Sequence, residues 1–200
     1  MRPRAYLSPN CPDVWRKWAD TGVYTPLRAE RTIEYRSPIE QLPSTTTERM
    51  LVTTIYEHFK DNPFGFERCA AELVRLMDKN VTHYELTRFT KDGGRDAVGL
   101  YRIGSHYDGI SIDFALEAKC YRSTNGVNTK EMARLISRLR HRQFGVLVTT
   151  SYVGIQAYKE IREDLHPVVI VAGKDIARIL LENGIKNKSN VESWLATFES

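Results

Sequence analysis

Two continuous apolar runs late in the chain constrain the fold most strongly: FGVLVTT, which begins at residue 144, and VVIVAG, which begins at residue 168. Each run is short, rich in valine and without polar alternation, which is typical of a strand buried on both faces. The segment between them, VGIQAYKEIREDL, has helical periodicity and stops before His166 and Pro167. A strand, a helix and a second strand in this order predict parallel strands joined by a right-handed crossover.

The residues before these runs predict two helices and then an antiparallel meander. The first helix is TERMLVTTIYEHFK (47–60) and the second is FERCAAELVRLMDKN (66–80), each with one apolar face. Strand-like stretches follow at 81–89, 96–103 and 110–119, and NTKEMARLISRLRHR (128–142) is predicted to be a capped helix. We therefore predict an α/β fold with a mixed central β-sheet flanked by helices on both faces.

The chain is predicted to divide near residue 45. Most of its eight prolines precede residue 44, and only PDVWRKWAD (12–20) has the pattern of a helix in that part of the chain. We interpret residues 1–45 as an arm or linker segment and residues 46–200 as the folded domain.

Composition and cysteine usage exclude several classes of protein. The chain is 42% hydrophobic and 27% charged, and no apolar run is long enough to span a bilayer. Its three cysteines, Cys11, Cys69 and Cys120, are too widely spaced for a disulfide framework or a structural zinc site. We expect a cytoplasmic, intracellular protein with no membrane partner. The net charge of +4 permits a nucleic acid as partner but does not demand one.

The stretch DFALEAKCYR (113–122) places two opposite charges, Glu117 and Lys119, on one face of a strand. If 96–103 and 110–117 form a hairpin without a slip in register, Asp96 lies directly opposite Glu117, with Cβ atoms roughly 4.5–5.5 Å apart. Lys119 is on the same face, one pleat further along. The sequence therefore predicts a cluster of Asp96, Glu117 and Lys119, with the last two facing the substrate.

Two carboxylates this close repel each other, and a raised pKa, a bound cation or both would relieve the repulsion. Mg²⁺ prefers oxygen ligands and is often held by one or two carboxylates plus substrate phosphates. A lysine beside such an ion can orient a water molecule or help deprotonate it, so the cluster suits metal-assisted phosphodiester hydrolysis. The alternative is a salt bridge on a strand surface with no catalytic role.

Four segments resemble the Mrr-like branch of the PD-(D/E)XK nucleases: FERCAAEL, DGGRDAVG, EAKCY, and FGVLVTTS followed by QAYKEI. The resemblance runs from about Phe64 to Leu181, with the motifs in the family's order. It implies a restriction-endonuclease-like fold and a nuclease domain over residues 46–200. The glycines of DGGRD would allow a large ligand to approach closely.

The resemblance also implies roles for single residues. Asp96 and Glu117 are expected to bind the divalent ion, Mg²⁺ with Mn²⁺ as a substitute, and Lys119 to serve the attacking water. Glu67 matches a family glutamate that supports the same metal. The alternative for Glu67 is a solvated first-turn glutamate that complements the helix dipole. Arg95 stands where the family name has proline, and Glu117 stands where many relatives have glutamine.

Basic and hydroxyl side chains supply candidates for contact with DNA. Arg134, Arg138 and Arg140 lie on the predicted helix 128–142 and are expected to bind phosphates, with a solvated polar face as the alternative. Thr149, Thr150 and Ser151 follow a strand and would either reach phosphates or cap the next helix; we favour a cap for Ser151.

The sequence thus predicts a metal-dependent endonuclease of restriction or defence type that cuts double-stranded DNA to leave 5′-phosphates. The resemblance is nearest to the cleavage domains of modification-dependent restriction enzymes, but no reader of modified bases is evident in the sequence. A separate DNA-reading domain or subunit, or loops of this chain, would supply specificity. A homodimer or larger oligomer is expected, because cutting both strands of a duplex needs two active sites or two successive binding events by one site. The alternatives are a repair or junction-resolving nuclease and a DNA-binding module without catalysis.

Overall fold

The computed structural model describes residues 13–23, 35–86, 96–105, 107–141 and 143–198. The chain forms two compact units, Met1–Ile33 and Glu34–Ser200. In the first unit the described residues form helix α1 (Asp13–Thr21), which confirms the helix predicted at 12–20. No helix in the described part of the chain is long and apolar enough to cross a membrane. The glycines of DGGRD lie outside the described residues.

The second unit is built on a five-stranded mixed sheet whose spatial order follows the order of the strands in the chain. The first three strands are antiparallel, and the last three are parallel. This arrangement confirms the predicted meander followed by crossovers. The strands are β1 (Val81–Leu86), β2 (Ala97–Gly104), β3 (Gly109–Lys119), β4 (Phe144–Thr149) and β5 (Val168–Val171).

Helices cover the sheet on both faces, as predicted. One core cluster joins the face of Phe114 and Leu116 to residues of α3, α4, α7 and α8. A second cluster joins the face of Ala115 and Leu147 to residues of α5 and α6. The helices of this unit are α2 (Pro38–Gln41), α3 (Thr46–Phe59), α4 (Pro63–Met77), α5 (Thr129–Ile136), α6 (Ile155–Glu163), α7 (Gly173–Glu182) and α8 (Lys188–Leu195), followed by a 3₁₀ turn (Ala196–Phe198).

Strand β3 changes character along its length. Residues 109–113 are mostly exposed, whereas residues 114–118 are buried on both faces of the sheet. In its second half, the face of this strand that carries Glu117, which was predicted to face the substrate, is therefore buried. The physical reason is α5, which contributes Met132 and Leu135 to the cluster over that face.

The β2–β3 hairpin has the predicted register without a slip, from Gly104 opposite Gly109 to Ala97 opposite Leu116. The regular ladder ends there. The amide of Asp96 donates to the Leu116 carbonyl at 3.1 Å, and the Asp96 carboxylate accepts from the Ala118 amide at 2.6 Å. Asp96 thus sits beside the end of the ladder, beyond its last regular pair.

The predicted helix at 128–142 is too long, because α5 ends at Ile136. The Ser137 hydroxyl donates to the Arg134 carbonyl at 2.9 Å, and the Arg138 amide donates three residues back to Leu135 at 3.1 Å. Such bonds close tight turns at a helix end. Arg138 and Arg140 therefore lie in the turns that follow α5 and do not extend a helical face with Arg134.

Residues 35–42 pack within the second unit, which begins at Glu34, before the boundary predicted at residue 45. Gln41 is completely buried, and its side chain pairs with Val153 twice: the Val153 amide donates to Oε1 at 2.9 Å, and Nε2 donates to the Val153 carbonyl at 3.0 Å. Arg36 contacts both carboxylate oxygens of Asp175 at 2.8 Å. These contacts fasten the segment to the loop after β4 and to α7.

Replacing Gln41 with alanine is expected to destabilise the fold by about 2–3 kcal/mol, because the buried N–H and C=O of Val153 lose their partners. Gln156→Ala is the matched control, since Gln156 is exposed on α6, and its expected effect is below about 0.5 kcal/mol. Urea unfolding gives both free energies. Equal midpoints for Gln41→Ala and the wild type would show that this clamp does not support the fold.

Candidate active site

The four residues predicted from the charge pattern and the resemblance come together where the β2–β3 ladder ends. Asp96 precedes β2, Glu117 and Lys119 end β3, and Glu67 extends from α4. Glu67 is within electrostatic range of the other three. Burial and the negative charges of Asp96 and Glu117 raise the pKa of Glu67 to about 7, against the opposing effect of Lys119.

Glu67 is the fifth residue of α4, because the helix begins at Pro63 and is capped by Asn62, whose side chain accepts from the Gly65 amide at 2.9 Å. It is partly buried and lies past the first turn. The alternative of a solvated first-turn glutamate is therefore wrong. Glu67 therefore forms an acidic cluster with Asp96 and Glu117, because it lies near them and carries the same charge when ionised.

The carboxylate of Asp96 is fixed by the backbone of the neighbouring strand. Its Oδ2 accepts the 2.6 Å bond from the Ala118 amide. Burial and the charge of Glu117 raise its pKa, while the Ala118 amide and the charges of Lys119 and Arg134 act in the opposite direction. A backbone N–H orients this carboxylate without neutralising it, so the repulsion from Glu117 persists.

Glu117 is completely buried and forms two ion pairs. Its Oε1 accepts from Lys119 Nζ at 2.7 Å, and its Oε2 accepts from Arg138 Nη1 at 3.1 Å. Glu117 is therefore buried where the sequence predicted a carboxylate facing the substrate, and its orientation toward a substrate stays a prediction. Burial of the second half of β3 on both faces, together with the Arg138 contact, encloses the carboxylate.

Lys119 is held by its own strand. Its Nζ donates to Glu117 and, at 3.1 Å, to the Ala118 carbonyl, and its side chain remains 18% exposed. The ammonium group thus stands between the buried carboxylate and solvent. A group in this position can contact both an acidic side chain and a ligand that arrives from outside.

The three predicted DNA-binding arginines have different surroundings. Arg134 is exposed on α5 and within electrostatic range of Asp96. Arg138 is paired with Glu117, and Arg140 is exposed in the turns after α5. The Arg138 contact could not be predicted from the sequence, because a continuous helix through residue 142 would have carried Arg138 on an outer face.

The hydroxyl residues after β4 are structural. The Thr150 hydroxyl accepts from the Tyr121 amide at 2.8 Å and donates to the Tyr121 carbonyl at 2.7 Å. Ser151 is buried, and α6 is capped at Gly154 without a side-chain bond. The cap predicted for Ser151 is therefore wrong, and burial of Thr149 and Thr150 keeps both from reaching phosphates.

The sheet face beside Glu117 is open over β1, β2 and the first half of β3. A depression of about 310 Å³ lies on this face, and Gln143 closes one side by donating to Asp113 at 3.4 Å. Asp113 and Glu117 share a face because they are four residues apart on one strand. The side chains that line the depression include His83, Glu85, Val98, Leu100, Asp113 and Gln143.

The donor set fits a hard divalent cation. Among the described residues, no three His, Cys, Asp or Glu side chains already lie close enough together to hold a metal ion. Mg²⁺, however, commonly uses one or two carboxylates and completes its shell with water and substrate phosphates. Asp96 is partly buried and Glu117 is completely buried. Burial and the charge of Glu117 raise the pKa of Asp96, and a cation would relieve the repulsion between the two carboxylates.

Comparison with protein families gives one match. Residues 60–180 match Mrr_cat, a restriction endonuclease family. The match covers more than half of the chain and includes Glu67, Asp96, Glu117 and Lys119. No curated protein sequence matches the chain.

Two solved structures are similar to almost the whole chain. The DNA modification-dependent restriction endonuclease AspBHI shares 46% sequence identity, with a TM-score of 0.79 over 96% of this chain and 50% of its own. The MspJI restriction endonuclease, in complex with a 27-mer oligonucleotide, shares 27% identity, with a TM-score of 0.71 over 94% of this chain and 44% of its own. This chain therefore spans about half the length of each relative or less.

At pH 8 and without divalent ions, Glu67→Gln is expected to be about 1 kcal/mol more stable than the wild type. Because the folded-state pKa is raised from 4.5 to about 7, the wild type loses stability as the pH rises through this range, and a neutral amide avoids that loss. Urea unfolding in EDTA at about pH 4 and at pH 8 measures the difference, which should vanish at the lower pH.

Glu182→Gln is the control for this measurement, because Glu182 is exposed at the end of α7. Its stability should follow that of the wild type at both pH values. A Glu67→Gln protein that is no more stable than the wild type at pH 8 would contradict the electrostatic coupling of Glu67 to the cluster.

Proposed function

From the premise that this chain belongs to the Mrr_cat family of restriction endonucleases, we propose that it is a metal-dependent DNA endonuclease of restriction or defence type. It hydrolyses phosphodiester bonds to 5′-phosphate ends and forms the cleavage part of a modification-dependent restriction enzyme. The observation that carries the proposal is the convergence of Glu67, Asp96, Glu117 and Lys119 at one end of the β2–β3 ladder.

In this proposal Asp96 and Glu117 hold a divalent ion, Mg²⁺ with Mn²⁺ as a substitute, and Glu67 supports it. A bound ion of this kind polarises a phosphoryl oxygen and lowers the pKa of a bound water. Asp96 suits its role because the Ala118 amide fixes the carboxylate while leaving its charge intact. Glu67 suits a supporting role because burial and the charges of Asp96 and Glu117 raise its pKa to about 7, and a cation bound to the cluster would favour its ionised form.

Lys119 is proposed to orient the attacking water and to stabilise charge on the scissile phosphate. Its ammonium group is held by Glu117 and the Ala118 carbonyl at the boundary between the buried cluster and solvent. Preorganised positive charge of this kind stabilises the transition state without a cost of reorganisation. The basic side chains of Arg134, Arg138 and Arg140 are proposed to contact backbone phosphates nearby.

Double-stranded DNA is the proposed substrate, and the names of both structural relatives support this choice. AspBHI is a DNA modification-dependent endonuclease, and MspJI is in complex with an oligonucleotide. Because this chain spans about half of each relative, a separate domain or subunit is proposed to read the modified base. We further propose assembly as a homodimer or larger oligomer and a location in the prokaryotic cytoplasm.

Lys119→Ala is expected to lower the rate of plasmid cleavage about 100-fold or more, because removing a positioned acid–base group typically costs that much. The assay compares methylated, hydroxymethylated and unmodified plasmid in Mg²⁺ and in EDTA. Lys186→Ala, which removes an exposed lysine between α7 and α8, should cleave like the wild type.

Several outcomes of the plasmid assay would overturn parts of this proposal. Equal cleavage by Lys119→Ala and the wild type would contradict the assigned mechanism. Preference for branched over linear duplex would indicate a junction-resolving or repair nuclease. Tight DNA binding with no metal-dependent cleavage of any substrate would indicate a binding module without catalysis.

Arg140→Gln is expected to weaken DNA binding to the same degree on all sequences. Loss of one phosphate contact should reduce the slope of log K against log salt concentration by about 0.9. Fluorescence anisotropy with a labelled duplex in EDTA, at several salt concentrations, measures this slope. An unchanged slope would show that Arg140 makes no phosphate contact.

A further inference from the structure

We propose that Arg138 is an exchangeable counter-ion of Glu117, which a divalent cation must displace in order to bind. The inference rests on the proposed function, because it assigns a second task to the site described there. Arg138 would keep the acidic cluster closed in the metal-free protein and would thereby set the affinity of the site for metal. In this role it is a positioning residue, since it acts through Glu117.

The first support is that both oxygens of Glu117 are engaged. Lys119 Nζ occupies Oε1 at 2.7 Å, and Arg138 Nη1 occupies Oε2 at 3.1 Å. The carboxylate has no exposed surface, so no third direction is open to a cation that arrives from solvent. Each carboxylate oxygen keeps a second lone pair. Because Glu117 is buried, however, a cation from solvent can reach it only where one of these two ion pairs opens.

The second support is the difference between the two cations. Lys119 is two residues from Glu117 on the same strand, and the Ala118 carbonyl gives its Nζ another bond. Arg138 comes from the turns after α5, a separate segment that meets the strand through a long side chain. The Arg138 contact is also the longer of the two, at 3.1 Å against 2.7 Å for Lys119. Arg138 is therefore the partner that leaves.

The third support is the need for a partner in the absence of metal. A completely buried carboxylate that loses a cationic partner is strongly destabilising. Arg138 supplies this partner without occupying a coordination site permanently. Once displaced, its guanidinium could contact a backbone phosphate, the role proposed for it above.

The experiment is a titration of the metal-free 200-residue chain with MnCl₂ by calorimetry, without DNA. Arg138→Gln is expected to bind Mn²⁺ about fivefold to 100-fold more tightly than the wild type, a change of the size typical when two binding events are coupled. In EDTA the same variant is expected to melt at a lower temperature than the wild type, and saturating Mn²⁺ should raise its melting temperature more.

Arg140→Gln is the matched control, since it removes an arginine from the same turns without removing the contact to Glu117. Its Mn²⁺ affinity should stay within about twofold of the wild type. Arg138→Lys keeps the charge but shortens the reach, so its affinity should fall between those of the wild type and Arg138→Gln. If Arg138→Gln unfolds in EDTA, recovery of the fold with Mn²⁺ supports the exchange.

Equal or weaker Mn²⁺ binding by Arg138→Gln, with the wild type binding normally, would overturn the exchange and leave the proposed nuclease function intact. A tightening of the same size in Arg140→Gln would also overturn it, because general charge would then explain the effect. If neither protein binds Mn²⁺ and the wild type also fails to cut DNA in the plasmid assay, the proposed function itself fails.

Discussion

The buried charge of Glu117 imposes the strongest demand on its surroundings, because a carboxylate without exposed surface must be paired where it lies. Lys119 supplies one partner from the same strand, and Arg138 supplies the other from the turns after α5. Asp96 adds a second carboxylate to the same cluster, and its Oδ2 is held by a backbone amide. The environment of the Glu117 carboxylate is thus set by the ends of β2 and β3, by the length of α5 and by the position of Arg138.

Sheet topology explains why the charge is buried at this point. Strand β3 is the middle strand, with an antiparallel neighbour on one side and a parallel neighbour on the other. Crossover helices cover a parallel sheet on both faces, whereas a meander leaves one face open. The first half of β3 therefore lies beside the open face, and its second half lies between two cores. Glu117 falls in the second half, close to the boundary between these two environments.

The parts of the fold that depend on local pattern could be predicted from the sequence. The valine-rich runs indicated β4 and β5, and pairing 96–103 with 110–117 as a hairpin without a slip predicted the register that brings Asp96 beside Glu117. The burial of Glu117 could not be predicted, because it depends on α5, which packs on the strand from a distant part of the chain. The end of α5 at Ile136 could not be predicted either. Good helix formers continue in the sequence beyond Ile136, and the helix ends because tight turns follow it.

The two carboxylates of the cluster differ in how they are held, and this difference bears on how each could be used. Asp96 accepts from a neutral backbone donor, which orients it and leaves its charge available. Glu117 accepts from two cations, which orient it and also cancel its charge. For a divalent ion, Asp96 would therefore be an oriented and available ligand, whereas Glu117 would already be paired with two cationic side chains. In the proposed site the two carboxylates therefore contribute differently to the free energy of metal binding. Attraction to Asp96 contributes in full, whereas attraction to Glu117 is reduced by the cost of releasing Arg138.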